Sequence, residues 1–116
     1  MKERKQFGAL IGSFQALQHR AAHWWSEIEL CKSIVLKALQ SLDAGDAKSP
    51  ALASIAKAKL CEVVELSTNE AIQLHGGIGM TDEYDIGFFI KRARPAQMLY
   101  GGYSYHADRY ALINGY

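Results

Sequence analysis

Gln73-Leu74-His75-Gly76-Gly77-Ile78-Gly79-Met80-Thr81-Asp82-Glu83-Tyr84 is the stretch on which the reading of this 116-residue chain turns. Three glycines fall within four positions, after an apolar segment with helical spacing and before an aromatic-rich segment that resumes it. A glycine pair at a helix end serves one of two purposes. It supplies the left-handed residue that terminates the helix, or it bares the backbone so that a ligand or a second chain comes close. Upstream, Ala51 to Leu74 is rich in Ala, Leu, Lys and Glu, all good helix formers. Ala56, Leu60, Val63, Ser67, Ala71 and Leu74 form its inner stripe, and the small members let a neighbouring helix approach closely. Ser49-Pro50 opens this helix, with Ser as N-cap and Pro at the first helical position, where a missing N–H costs nothing.

Further out, Phe14, Leu17, Ala21, Trp24, Ile28, Cys31, Val35 and Leu39 recur in steps of three or four, one stripe of a second long helix. Asp43-Ala44-Gly45-Asp46 ends it, with Gly45 in the C-cap region. The short connection makes the two long helices antiparallel neighbours. Met1 to Gly12 reads as a loop with Phe7 and Ile11 as packing anchors, and Ser13 as the N-cap of the helix that follows. Beyond the glycine stretch, Thr81 and Asp82 or Asp85 cap a shorter helix over Ile86 to Arg94. Pro95 interrupts or kinks it, and Ala96 to Tyr100 resumes a turn. Gly101-Gly102 breaks the chain, and Ser104 to Ile113 forms a last short helix with Tyr103, Tyr110 and Leu112 available for packing. No strand-like alternation persists and no repeat is visible. The expected fold is all-α: a single domain over 1–116, an up-down helical bundle of two long antiparallel helices plus two shorter ones.

Composition narrows the function. The net charge of +1 provides no electrostatic footprint for nucleic acid, and no apolar run is long enough to span a bilayer. The charged start, Met1 to Gln6, has no apolar run behind it, so it does not read as a signal peptide. Cys31 and Cys61 lie far apart and form no Cys-x-x-Cys pair, so two buried thiols in a cytoplasmic or mitochondrial-matrix protein are expected. His19 and His23 are four apart on a helix, but Arg20 stands where a zinc-protease helix places Glu, and no third ligand is evident; no metal site is expected. His75 beside Gly76-Gly77 caps its helix or meets a ligand. His106 reads as a surface residue. No Walker or Rossmann glycine pattern occurs.

Taken together, these pieces resemble the C-terminal helical domain of the acyl-CoA dehydrogenase family. The matching stretches are Glu3-Arg4-Lys5-Gln6-Phe7-Gly8, Phe14-Gln15-Ala16-Leu17-Gln18, Ala53-Ser54-Ile55-Ala56-Lys57-Ala58-Lys59, Ala71-Ile72-Gln73-Leu74-His75-Gly76-Gly77-Ile78-Gly79 and Tyr100-Gly101-Gly102. Order and spacing agree over nearly the whole chain. The family are FAD enzymes that oxidise acyl-CoA thioesters at the α and β carbons. The resemblance implies that Arg4 and Phe7 lie along the pyrophosphate and adenine end of FAD and that Gln15 contacts the same cofactor. It also implies that Gln73, His75, Gly76 and Gly77 approach the ADP portion. A cation suits a pyrophosphate, and bare amides suit an anion.

The chain departs from the family at its chemistry. Many members carry Tyr-Glu-Gly-Thr where this chain has Tyr100-Gly101-Gly102-Tyr103, and that Glu is their base. Glycine abstracts no proton, so no catalytic residue is expected on this chain and the isolated chain is expected to be inactive. The positions that contact FAD through Thr and Gln in such members are here Tyr103 and Tyr105. A first bundle helix and the two flavin-holding domains of the family have no counterpart in these residues. One apolar face is therefore expected to need cover. Two functions follow. In the first, the chain is a domain or subunit of an acyl-CoA dehydrogenase-type flavoenzyme, a homodimer or larger assembly with a companion acyl-CoA dehydrogenase polypeptide, meeting acyl-CoA only in the full assembly. In the second, it is a non-catalytic helical oligomerisation module derived from that family.

Overall fold

The computed structural model describes residues 1–116. Two short strands, β1 (Lys5–Gln6) and β2 (Ala9–Leu10), lead through a 3-10 turn at Ile11–Ser13 into α1 (Gln15–Asp43) and α2 (Ser49–His75). A second 3-10 turn, Gly76–Met80, follows, and then α3 (Ile86–Met98) and α4 (Tyr103–Ile113). The all-α class and the two long plus two short helices stand as expected. α2 is the central element, packing against α1, α3, α4 and the 3-10 turn at its own end. The reason lies in its side chains: Ala51, Ser54, Ala56, Ala58, Cys61 and Val63 are buried, and all are small. A helix with so little bulk lets three neighbours come near its axis. Cys31 of α1 is buried as well, and both cysteines are free thiols.

The start of the chain is not the loop that its glycines suggested. β1 and β2 pair antiparallel, Lys5 with Leu10 and Gln6 with Ala9. Phe7 and Gly8 form the two-residue turn, with φ of 53° and 76°. Two positive φ values give the twist that a tight hairpin needs, and they push Phe7 outward. It is 95% exposed rather than a packing anchor, and its ring stands edge-on to that of Phe14, 6.3 Å between ring centres. Ile11, the other expected anchor, is buried.

Helix caps also differ from expectation. Phe14 is the N-cap of α1, and Ser13 instead donates from Oγ to the Leu10 carbonyl at 2.7 Å. Ser49 is the first residue of α2 rather than its cap; its hydroxyl donates to the Asp46 carbonyl at 2.6 Å and lies 2.9 Å from the hydroxyl of buried Ser41. Gly45, at φ 63°, makes the turn between the long helices. Pro95 does not break α3, which runs on to Met98. The last turn is held from α2: Lys57 Nζ donates to the Ala96 carbonyl at 2.8 Å, and Gln97 Nε2 donates to the Cys61 carbonyl at the same distance. These contacts secure the turn that follows the proline. Leu60, expected on the inner stripe, is more than a third exposed, and Leu112 points largely to solvent.

The molecule is a rod of 56 × 27 × 26 Å with an accessible surface of 8224 Å². Scaling of surface with mass gives roughly 6,300 Å² for a compact protein of this size. Large apolar side chains lie on that surface: Trp25, Leu36, Leu39 and Leu42 of α1 and Phe88, Phe89 and Met98 of α3 are all more than half exposed. No helix is long and apolar enough to cross a membrane.

Candidate functional site at the glycine bend

α2 ends where α1 begins, and the N-terminal hairpin folds over that end. Gly76 terminates α2 at φ 70° and ψ −153°. Arg4 donates from Nη1 to the carbonyl of His75, one of the orphan acceptors at a helix C-terminus. The hairpin holds Arg4 in place through the bond from Ile11 N–H to the Arg4 carbonyl, 3.0 Å. The three glycines turn out to have three separate reasons. Gly76 takes a left-handed φ, and a Cβ there would press on the Arg4 guanidinium at 3.1 Å. Gly79 is buried, and a Cβ there would sit 2.9 Å from the Ile72 carbonyl oxygen. Gly77 has open space around its missing Cβ. Its backbone is accessible without steric cause.

His75 is anchored through Nδ1, 2.7 Å from the Ala71 carbonyl, and its ring lies 5.7 Å from that of Tyr84. A cavity of about 520 Å³ opens beside the bend, lined by Arg4, Ile11, Trp24, Leu74, His75 and Tyr84 among others. Arg4, His75 and Gly76 are thus in direct contact. Phe7 joins the same end through Phe14. Gln15 sits exposed on the first turn of α1, and Gln73 sits exposed on the last turn of α2 next to the bend. All seven residues singled out in the sequence lie at one end of the rod.

The shifted titrating groups lie elsewhere, along the α1–α2 seam. A hydrogen bond from Lys59 holds the Glu27 carboxyl below its ordinary range, and the same bond raises the Lys59 ammonium. Burial raises the Cys31 thiol, which makes it an inert packing group. The bond to Glu70 raises the Arg20 guanidinium. His19 and His23 are exposed, and no third His, Cys, Asp or Glu groups with them.

At the other glycine pair, sequence reasoning missed a feature. Tyr100 and Gly101 have successive positive φ values of 61° and 102°. The Tyr105 ring lies over Gly101, so that a Cβ there would be 3.0 Å from Tyr105 Cγ and closer still to Cδ1. His106, expected on the surface, is half-buried because it serves this turn: Nε2 donates to the Tyr100 carbonyl at 3.0 Å. No helical spacing signals this contact, because Gly101 lies outside α4, which begins at Tyr103.

The profile of "Acyl-CoA dehydrogenase, C-terminal domain" matches residues 1–111. "Acyl-CoA dehydrogenase IpdE2" of Mycobacterium tuberculosis is 40% identical over 98 residues, covering 84% of this chain and 29% of that protein. "Short/branched chain specific acyl-CoA dehydrogenase, mitochondrial" of Bos taurus is 35% identical over 96 residues, covering 81% of this chain and 22% of that one. Among solved structures, the "FAD complex of PigA" is similar with a TM-score of 0.91 at 26% identity, covering 98% of this chain and 30% of that chain. The chain spans less than a third of the length of each of these three relatives.

Proposed function

The chain belongs to the acyl-CoA dehydrogenase family, within its C-terminal domain, and from that premise we propose that it supplies part of an FAD site and an association surface to an assembly that desaturates acyl-CoA thioesters between the α and β carbons. The observation that carries this reading is the gathering of Arg4, Phe7, Gln15, Gln73, His75, Gly76 and Gly77 at one end of the rod. The residues fit the group. A guanidinium has five N–H donors; Arg4 gives one of them to the His75 carbonyl and is exposed, which leaves donors for a diphosphate. Gly77 leaves its backbone open to a close-lying anion. Gln15 and Gln73 offer exposed amides, and Phe7 an exposed ring for a planar base. FAD, when bound, supplies the acceptor for the β hydride. This chain orients that cofactor and does not take the α proton, because position 101 has no side chain. The base comes from a companion acyl-CoA dehydrogenase polypeptide or domain. Two free, buried cysteines fit a reducing cytoplasm or mitochondrial matrix.

Co-purification of the chain with companion proteins encoded nearby tests the reading. A yellow complex with flavin absorbance is expected, paler when Arg4→Ala or Gly77→Ala is introduced. Reduction of an electron acceptor by the isolated 116-residue chain with any acyl-CoA would overturn the assignment of the base to another polypeptide. One observation favours the second reading, a non-catalytic association module: Arg4 is already engaged as a cap on α2. A colourless, stable homodimer that ignores added FAD would establish that alternative.

A further inference from the structure

The turn between α3 and α4 is pinned from both sides. Tyr100 and Gly101 have φ of 61° and 102°, a conformation that a non-glycine residue holds only where its surroundings enforce it. His106 Nε2 donates to the Tyr100 carbonyl at 3.0 Å. The Tyr105 ring lies against Gly101 and also meets the His106 ring at 5.0 Å and 88°. Tyr105 and His106 thus act as one clamp from the first turn of α4.

The geometry points to Tyr105 as a second barrier, beside the φ of 102° at Gly101, to any side chain at position 101. The missing acid–base group is then the property of a pair of residues, not of one. A carboxylate introduced by Gly101→Glu meets the ring that covers the turn, and either the ring or the new side chain must leave. Cutting back Tyr105 removes the collision and leaves the backbone strain of a side chain at φ 102° as the remaining cost. The packing part of this inference stands on the turn alone; its meaning for catalysis rests on the reading above.

A double-mutant cycle on the full 116-residue chain tests it, read by thermal unfolding. The set is wild type, Gly101→Ala, Tyr105→Ala and the double variant, with Gly101→Ala also placed on Tyr105→Phe, which keeps the ring. The cost of putting Ala at positive φ is common to every background and cancels in the comparison. The drop in Tm caused by Gly101→Ala is expected to be at least halved on Tyr105→Ala and undiminished on Tyr105→Phe. Equal drops in all three backgrounds would overturn the inference. A second measurement needs no variant to fold. In the wild type, proton NMR should find the Gly101 Hα resonances displaced from random-coil positions by the ring current of Tyr105, and random-coil positions would be equally fatal. A complex that fails to retain flavin removes the functional reading and leaves both of these results standing.

Discussion

Trp24 on α1 donates its indole N–H to Ser67 Oγ on α2 at 2.8 Å, and this bond sits inside the half-buried seam of the two long helices. An indole N–H has one partner or none. Ser67→Ala leaves it with none, and the expected loss is about 1 kcal/mol, the cost of a partly buried donor without an acceptor. Urea unfolding measures it. The loss should shrink when Trp24→Phe is already present, since the donor is then gone.

The Lys59–Glu27 pair should contribute to the acid limb of stability. Glu27 has its carboxyl held below the ordinary value near 4.5. A lowered carboxyl stabilises the fold above that value, and the contribution is lost as pH falls through the lowered one. Lys59, raised above 10.5, contributes below that value and loses its contribution as pH rises through the raised one. Glu27→Gln should therefore flatten the decline in the urea midpoint below 4.5, while leaving the response to Lys32 or Glu29 substitutions as it was. An unchanged acid limb in that variant would contradict the assignment.

The three glycines of the bend should respond differently to alanine. Gly79→Ala drives a Cβ into the Ile72 carbonyl and should cost about 1–3 kcal/mol, as overpacking does. Gly76→Ala takes a residue with Cβ to φ 70° and should cost roughly 1–2 kcal/mol. Gly77→Ala meets nothing, and its Tm should be unchanged or slightly raised. Loss of flavin retention without loss of Tm in Gly77→Ala separates a cofactor-facing backbone from a structural one.

The apolar surface of α1 should drive self-association. Trp25, Leu36, Leu39 and Leu42 are each more than half exposed along α1, and exposed apolar side chains gathered on one element mark association surfaces. Sedimentation should show a dimer or larger species. Leu39→Asp with Leu42→Asp, both on the exposed side of α1, should shift it to monomer. A monomer in the unmodified chain would refute the association surface.

The helices were legible because their stripes are long. Seven turns of regular spacing from Phe14 to Leu39 outvote any local ambiguity, and Gly45 and Gly76 each ended a helix where their lack of Cβ suited it. What escaped depends on partners distant in sequence. Pro95 reads as a breaker because the bonds from Lys57 to the last turn of α3 come from another helix. Phe7 reads as a packing anchor of a loop because nothing local reveals that it occupies a hairpin turn. Of the site, the grouping at one end follows from antiparallel α1 and α2, which the short connection already required. Arg4 as a cap on His75, and Tyr105 over Gly101, required coordinates.

Arg4 and His75 are 71 residues apart, whereas the far tip of the rod closes through a turn of five residues between α1 and α2. Nearby segments meet soonest in a folding chain, and remote ones bear the larger loop-closure penalty. The long hairpin should therefore zip from Gly45 toward the glycine bend, so that the glycine-bend end is the last to assemble and the first to open. Native-state hydrogen exchange should find amides of the N-terminal hairpin opening well before those at the middle of α2. A partner that binds there would clamp shut the loosest part of the molecule.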